Sequence, residues 1–530
     1  MMNRSMSFLM LAVVLVTACG ASPTPTSVST ATADAGDPLA ATRAHIEQLV
    51  ADGEIPSMAV AVARAGEIIW EEGFGLADRE RDIPATEHTP YPLASISKPL
   101  TATGLMILVE RGLINLDTPI NDYLGEAKLQ ALVGDVAEAT VRRVASHTAG
   151  LPLHSQHFYD DEPHRPPPQD ETIRRYGNLV TAPGERYQYS NLGYGLLGYV
   201  VSRMSREDAD TRHPYADFMR EEVFAPLGMD HTSVHVGPGL EEGQAVKYTP
   251  EGTVVPPCDS DSPGASAVYA SAHDLIRFAM FHLRDDLPNQ DAILGDAAID
   301  EMHRPSPETG PTRAWEREGS GYGLGWFVGV TRDGLRVVQH SGRTVGVSTV
   351  LALVPEEDLA VVVLSNTDGH WPDVALIDIV CALLARQPEE FLPPAEGAAG
   401  EGTFAPEREI VGSWSGLAHT YQGEIPLLLE IEESGIIHAA LGEQPRTPLQ
   451  QVSYRDRRPQ FQNAGGGPFL RGWMQGELDT ADVNRGQPYK LWLELKLRKN
   501  VLNGSLIAFS QREIYTGPLA HWVELKRSEP

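Results

Sequence analysis

Three short motifs stand in order along this chain of 530 residues: Ser95-Ile96-Ser97-Lys98, Tyr189-Ser190-Asn191 and His340-Ser341-Gly342. They supply a hydroxyl, an amine three residues on, a phenol with an amide, and a glycine-relieved strand edge. Those are the parts of acyl transfer through a serine ester, a chemistry that calls for no metal and no diffusible cofactor. Ser95 follows the apolar Leu93-Ala94 and opens a helical stretch, and Pro99 is tolerated because first-turn N–H groups have no intrahelical partner. The spacing predicts a helix from Ile96. Ser95 then lies in the positive potential of its N-terminus, with Lys98 on the same face and in reach of the serine oxygen. A buried lysine of lowered pKa would take the serine proton as a neutral amine. Tyr189 would relay that proton between Ser95 and the leaving group, and Asn191 would bond Lys98 or the substrate amide. The plainer alternative for this motif is a turn in which Asn191 caps the helix starting at Gly193. His340 follows the apolar run Leu335–Gln339, either as an exposed strand-end histidine or on an edge lining a crevice. On the second reading Gly342 lets substrate approach the backbone, and the N–H groups of Arg343 and Ser95 form an oxyanion hole.

The elements that must position these groups follow from punctuation and periodicity. Asp37-Pro38 reads as an N-cap with proline at the first helical position, opening a helix that runs to about Ala51 and stops at Gly53. Met58–Arg64 and Glu67–Gly75 flank Ala65-Gly66 as an antiparallel hairpin. Further strands are expected near Gly323–Val330, Leu335–Gln339, Val347–Val354 and Leu359–Leu364, the last two joined by the turn residues Pro355 to Asp358. Between these groups the chain reads as helical at Pro99–Gly112, Gly193–Met204, Asp217–Phe224 and Ala272–Leu283, and Val374–Arg386 is an amphipathic helix after the last strand. Early strands, a helical insertion and late strands that rejoin them describe an α/β sandwich of antiparallel sheet plus helical lobe, with the site in the crevice between them. Residues 391–407 read as a Pro/Gly/Ala/Glu linker. Beyond them, seven short alternating runs from Ile410 to Leu525 suggest a small all-β antiparallel barrel or sandwich over residues 408–530.

The three motifs in this order resemble the serine β-lactamase and penicillin-binding protein superfamily. The nearest pattern is the class C β-lactamase branch with its D,D-peptidases, D-aminopeptidases and esterases. The resemblance covers residues 38–390 and extends to Ile55-Pro56, Leu113 to Asp117, Ser146 to Pro152 and Gly321 to Trp326. It implies a β-lactamase/transpeptidase-like fold, nucleophile Ser95, general base Lys98, proton relay Tyr189 and oxyanion donors at Ser95 and Arg343. The C-terminal part is likened to a lipocalin. One departure bears on substrate: dedicated β-lactamases of this branch carry Lys-Thr-Gly at the third motif, whereas this chain has His340-Ser341-Gly342, and His-x-Gly occurs in the peptidase and esterase relatives. Histidine is mostly neutral at pH 7, so the fixed charge that meets a β-lactam carboxylate is missing unless Arg343 replaces it. A peptidase or esterase is therefore favoured over an efficient β-lactamase. The alternatives are a β-lactamase proper and a non-catalytic lipoprotein that binds penicillin or a wall fragment.

The bulk properties narrow the partners. A formal charge of −30 excludes nucleic acid, whose phosphates would be repelled; a small-molecule or peptide substrate, including a peptidoglycan-derived one, remains. Arg4, the apolar run Phe8–Val16 and Thr17-Ala18-Cys19 form a signal peptide over residues 1–18. This resembles a lipobox, with Cys19 lipidated and residues 19–37 a Ser/Thr/Pro tether, giving a membrane-anchored lipoprotein of the bacterial cell envelope; an ordinary signal cut near Ala21 is the alternative. Two further cysteines, Cys258 and Cys381, do not make a disulfide framework, although a bridge between them is compatible with export. His154, His157, Asp160, Asp161 and His164 sit in a loop expected over the crevice rather than in a metal cluster. His147 is expected to be structural, in a turn closed by Gly150, and His273 part of a helix cap.

Overall fold

The computed structural model describes residues 36–205, 214–235, 240, 243–310, 319–331, 334–388, 404–455, 468–512, 514 and 516–528. The signal peptide, Cys19, most of the tether and most of the 391–407 linker lie outside them. The first part is built on an eight-stranded sheet in the order 321–322, 327–330, 336–344, 347–354, 359–365, 57–64, 67–78, 83–84. All pairings within it are antiparallel, including the long-range one that joins Ser57–Arg64 to Leu359–Ser365. Val347–Val354 and Leu359–Ser365 are buried at every position, because both sheet faces are covered. Met58, Val60 and Val62 pack with Ile46, Leu49 and Ile379 from the helices Ala40–Ala51 and Trp371–Leu384. The alternate residues Ala59, Ala61 and Ala63 face the core shared with Ala272–Leu283 and the helical lobe. Their small side chains let helices sit close to the sheet.

Several boundaries move. Asp37 does not cap the first helix: its carboxylate accepts from Leu39 N, and the helix opens at Ala40 behind Leu39. The expected strand Gly323–Val330 is split into Gly321–Tyr322 and Phe327–Val330, because Gly325 turns the chain at φ +89°. The third-motif strand runs through to Thr344, so His340, Ser341 and Gly342 lie inside it rather than past its end. Asp217–Phe224 becomes a short helix from Pro214 that widens into a π-turn over Arg220–Phe224.

The C-terminal part is a nine-stranded antiparallel sheet in the order 447–448, 437–441, 423–431, 412–420, 518–527, 501–510, 489–498, 469–474, 450–455. Its two end strands are neighbours in sequence, so the sheet curls into a nearly closed barrel. Leu427, Leu429, Leu493, Leu495, Leu506 and Val523 are buried in its interior as a packed core. Gln450–Arg455 and the helix Ala481–Arg485 escaped the sequence reading; the former is mostly polar, and the latter is only five residues long.

The barrel is docked on the α/β part by polar contacts. Ser155 N donates to Pro518 O at 3.1 Å and His157 N to Thr516 O at 2.9 Å. Arg186 pairs with Glu494, whose other oxygen accepts from Arg471 Nε at 3.0 Å, and all three side chains are buried. The loop expected to lie over the crevice is thus partly committed to this junction: His154 is buried, with Nε2 2.7 Å from Asp261 Oδ2, and it stacks on Tyr176. Cys258 and Cys381 are not joined by a disulfide, which removes the option of a bridge between them.

Candidate active site

Ser95 lies in a 3-10 turn, Ala94–Ile96, that leads directly into the helix Ser97–Glu110. The helix therefore opens one residue later than its spacing suggests. Ala94 takes φ +47°, a left-handed conformation unfavourable for a residue with Cβ, and it sets the bend that presents Ser95. The bend is held by three bonds to two neighbouring strands: Leu93 N donates to Val268 O at 2.8 Å, Leu93 O accepts from Thr349 Oγ1 at 3.0 Å, and Ser97 Oγ accepts from Val268 N at 3.0 Å.

Lys98 is 0% exposed. Its Nζ lies 3.0 Å from Ser95 Oγ and donates to Asn191 Oδ1 at 2.9 Å and Ala265 O at 3.0 Å. No carboxylate is paired with it among the described residues, and burial drives its pKa well below the ordinary lysine value. Asn191 Oδ1 and Ala265 O can only accept and take two N–H groups, whereas the third partner, the Ser95 hydroxyl, can itself donate. A neutral amine fits this pocket better than an ammonium, and it then offers a lone pair to the serine proton.

Tyr189 brings its hydroxyl into hydrogen-bonding contact with Ser95, and its ring lies 4.8 Å from Lys98 Nζ. Burial raises its pKa, so the resting phenol keeps its proton. Ser190, not Asn191, caps the following helix: its Oγ accepts from Gly193 N at 3.1 Å and donates to Pro152 O at 2.7 Å. Asn191 is the first helical residue, and its amide is free to hold Lys98. Lys98 of the first motif and Tyr189 of the second thereby meet at the Ser95 oxygen, and Asn191 holds Lys98 from 93 residues along the chain.

At the third motif, His340 is 1% exposed, so the exposed strand-end alternative fails. Nδ1 lies 2.8 Å from Ser341 O, which only accepts, so this nitrogen carries hydrogen. Nε2 lies 3.0 Å from the hydroxyl of Tyr322. Gly342 has a different reason from the one expected. A Cβ there would fall 2.0 Å from Leu93 O and 2.4 Å from Thr349 Oγ1, so the glycine lets the strand pack against the nucleophile bend. The Arg343 guanidinium is held by Gly369 O and the Asp373 carboxylate at the start of the last helix, so it does not replace the missing lysine charge. Beyond Gln339 the strand has no pairing partner on the side of Phe327–Val330 among the described residues, which leaves an edge beside Ser95.

Three contributors escaped the sequence reading. Ala265 O anchors Lys98 from the short helix Pro263–Ser266, which approaches Asn191–Met204 so closely that a Cβ on Gly264 would sit 2.4 Å from Tyr194 O. The glycines at 195 and 198, on one helical face, were the available signal. His147, expected to be structural, packs its ring 4.3 Å from that of Tyr189 and accepts from Ser190 N through Nδ1 at 3.1 Å. Burial holds its pKa well below the ordinary histidine value. Tyr322 completes the wall, 4.7 Å from the His147 ring centroid. His273 lies one residue inside the helix capped by Ser271 Oγ and bonds Glu71 at 2.8 Å.

Comparison with known proteins places this arrangement in context. The chain is 25% identical over 336 residues to Protein flp of Staphylococcus aureus (strain MRSA252), covering 62% of each chain. It thus spans less than two thirds of that relative. It is 29% identical over 364 residues to Unguisins hydrolase ungD' of Aspergillus campestris (strain IBT 28561), covering 65% of each. The structure of the octameric penicillin-binding protein homologue from Pyrococcus abyssi superposes with a TM-score of 0.56 at 21% identity, covering 92% of this chain and 100% of that one. It shares the fold of both parts. Residues 42–383 match the family described as Beta-lactamase, and the chain belongs to that family.

Proposed function

We propose that this chain is a serine hydrolase working through an acyl-enzyme at Ser95, on peptide, D-amino-acid amide or ester substrates. The observation that carries the reading is the buried Lys98 amine, 3.0 Å from Ser95 Oγ and bonded otherwise only to neutral oxygens. In this mechanism neutral Lys98 removes the proton as Ser95 Oγ attacks the substrate carbonyl. The N–H groups of Ser95 and Arg343 receive the developing oxyanion. Tyr189 hands its proton to the leaving group and regains one from the Lys98 ammonium, which restores amine and phenol; water then releases the acyl group by the reverse path. Its raised pKa suits a donor, and its contact with Ser95 suits a relay.

The third motif supports a peptidase or esterase over an efficient β-lactamase. His340 bonds a neutral phenol and a carbonyl, and the nearby Arg343 charge is committed to Asp373, so no fixed cation faces a substrate carboxylate from this strand. Export to the cell envelope through the N-terminal signal, with lipid attachment at Cys19, is part of the same proposal. No helix among the described residues is long and apolar enough to cross a membrane. The test is a parallel assay of nitrocefin, a short-chain nitrophenyl ester and a D-Ala-D-Ala peptide, with Ser95→Ala as blank and a fluorophosphonate to trap the nucleophile. We expect ester or peptide turnover above nitrocefin and a stoichiometric adduct on Ser95. Turnover unchanged in Ser95→Ala would remove the proposal, and stable acylation without turnover would favour a penicillin-binding receptor.

A further inference from the structure

Outside the Ser95 site, one cluster sets a cysteine sulfur against a buried lysine amine and a buried histidine ring. Cys258 opens the strand Cys258–Ser260, which pairs with His157–Tyr159. Lys247 is 6% exposed, and among the described residues the acceptor for its Nζ is the Cys258 sulfur, at 3.4 Å. His157, 9% exposed, also hydrogen-bonds the sulfur through its ring. No carboxylate pairs with Lys247 among the described residues. A lysine amine this deep normally pairs with an acid, because an unpaired buried charge costs several kcal/mol. Here a thiolate is the group placed to do that work.

We propose that Cys258 is a reactive thiolate, held by Lys247 and His157, and a site of covalent modification by small disulfides. The thiolate attacks one sulfur of the disulfide; a Cys258–S bond forms, the S–S bond breaks, and the second half leaves as a thiolate. No external oxidant or reductant enters the exchange. Cys258 is only half-buried, so a small reagent reaches it, whereas Cys381 is buried in the last helix of the α/β part. The titratable groups facing the sulfur are Lys247, His157, Tyr159 and Tyr269. Burial raises the thiol pKa, but the Lys247 charge and the His157 bond outweigh it and bring it to about 7.

The cluster also sits where modification would be felt. A Cβ on Gly346, in the turn after the third-motif strand, would lie 2.7 Å from Lys247 Cβ. The chain leaving Cys258 reaches Ala265, the carbonyl anchor of Lys98, seven residues later. The thiolate–lysine contact thus ties together segments that lead to two sides of the crevice.

The experiment is a timed exposure of the full-length protein to oxidised glutathione over pH 5–10, quenched in acid and read by peptide mass spectrometry at Cys258 and Cys381. We expect Cys258 to be modified at least tenfold faster than Cys381 at pH 7, with a rate midpoint near pH 7. Lys247→Met should move the midpoint up by a unit or more, and Lys247→Arg, which keeps the charge, should restore it. Melting curves show whether both variants fold. A midpoint at or above the ordinary thiol value of about 8.5 in the native protein overturns the proposal. So does a rate no faster than that of Cys381, or a pH profile that Lys247→Met leaves unchanged; if that variant does not fold, the native midpoint and the Arg variant decide.

Discussion

Lys98→Met is the substitution that separates chemistry from packing at the Ser95 site. Methionine keeps the unbranched apolar stem and removes the amine that bonds Ser95 Oγ, Asn191 Oδ1 and Ala265 O. Two buried acceptors lose a donor, at a cost of about 1–3 kcal/mol each, while the variant gains by no longer burying an amine. These terms oppose each other, so the melting temperature should move by only a few degrees. Activity has no such compensation, because no other amine or carboxylate hydrogen-bonds Ser95 Oγ among the described residues. Loss of a positioned general base lowers the rate by about 10²–10⁴-fold, equivalent to roughly 3–5 kcal/mol of transition-state stabilisation. The assay is the pre-steady-state burst of nitrophenolate from a short-chain ester, which isolates acylation from release. Its rate in the native enzyme should rise with pH through the depressed Lys98 pKa and level off well below the ordinary lysine range, because the neutral amine is the active form. A folded Lys98→Met protein whose burst rate lies within tenfold of native would refute the assignment of Lys98 as base.

Three further outcomes follow from the packing. Gly342→Ala places a methyl 2.0 Å from Leu93 O; it should lower both stability and ester turnover, measured by thermal melt and kcat/KM, whereas a glycine serving only substrate approach would leave the melt unchanged. Glu494→Gln breaks the buried contact with Arg186 and Arg471 and should cost about 3–5 kcal/mol, seen in urea unfolding and in faster limited proteolysis at the barrel junction. His521 is buried in the barrel with its pKa lowered to about 4, first by burial and then by His154, with Asp482 opposing. The unfolded chain therefore binds this proton at higher pH than the folded one. Stability is full above about pH 6.5 and falls by about 3 kcal/mol between there and pH 4, a slope that urea titrations of His521→Gln should show reduced.

What could be read in the chain was what neighbouring residues decide. The three-residue spacing of Ser95 and Lys98 puts both on one helical face, and Ala65-Gly66 forms the two-residue turn of a hairpin, with both residues at positive φ and the glycine suited to it. The alternating leucines after residue 408 announce strands whose observed sheet closes almost into a barrel. Motif order supplied the family resemblance, and early strands, a helical insertion and late strands supplied the α/β sandwich. Reading stopped where a role depends on a partner far along the chain. Asn191 was open between capping and catalysis until Ser190 proved to be the cap; Gly342 was assigned to substrate until Leu93 O appeared beneath it; Arg343 had no direction until Asp373 claimed it. Ala265 carries no side-chain functional group at all, and only its carbonyl's approach to Lys98 gives it a part. Local sequence fixes which groups exist and how each segment coils. Closing the sheet through Ser57–Arg64 and Leu359–Ser365, and packing glycine-lined helices against each other, decides which groups meet and strips Lys98 of the water that would keep it charged.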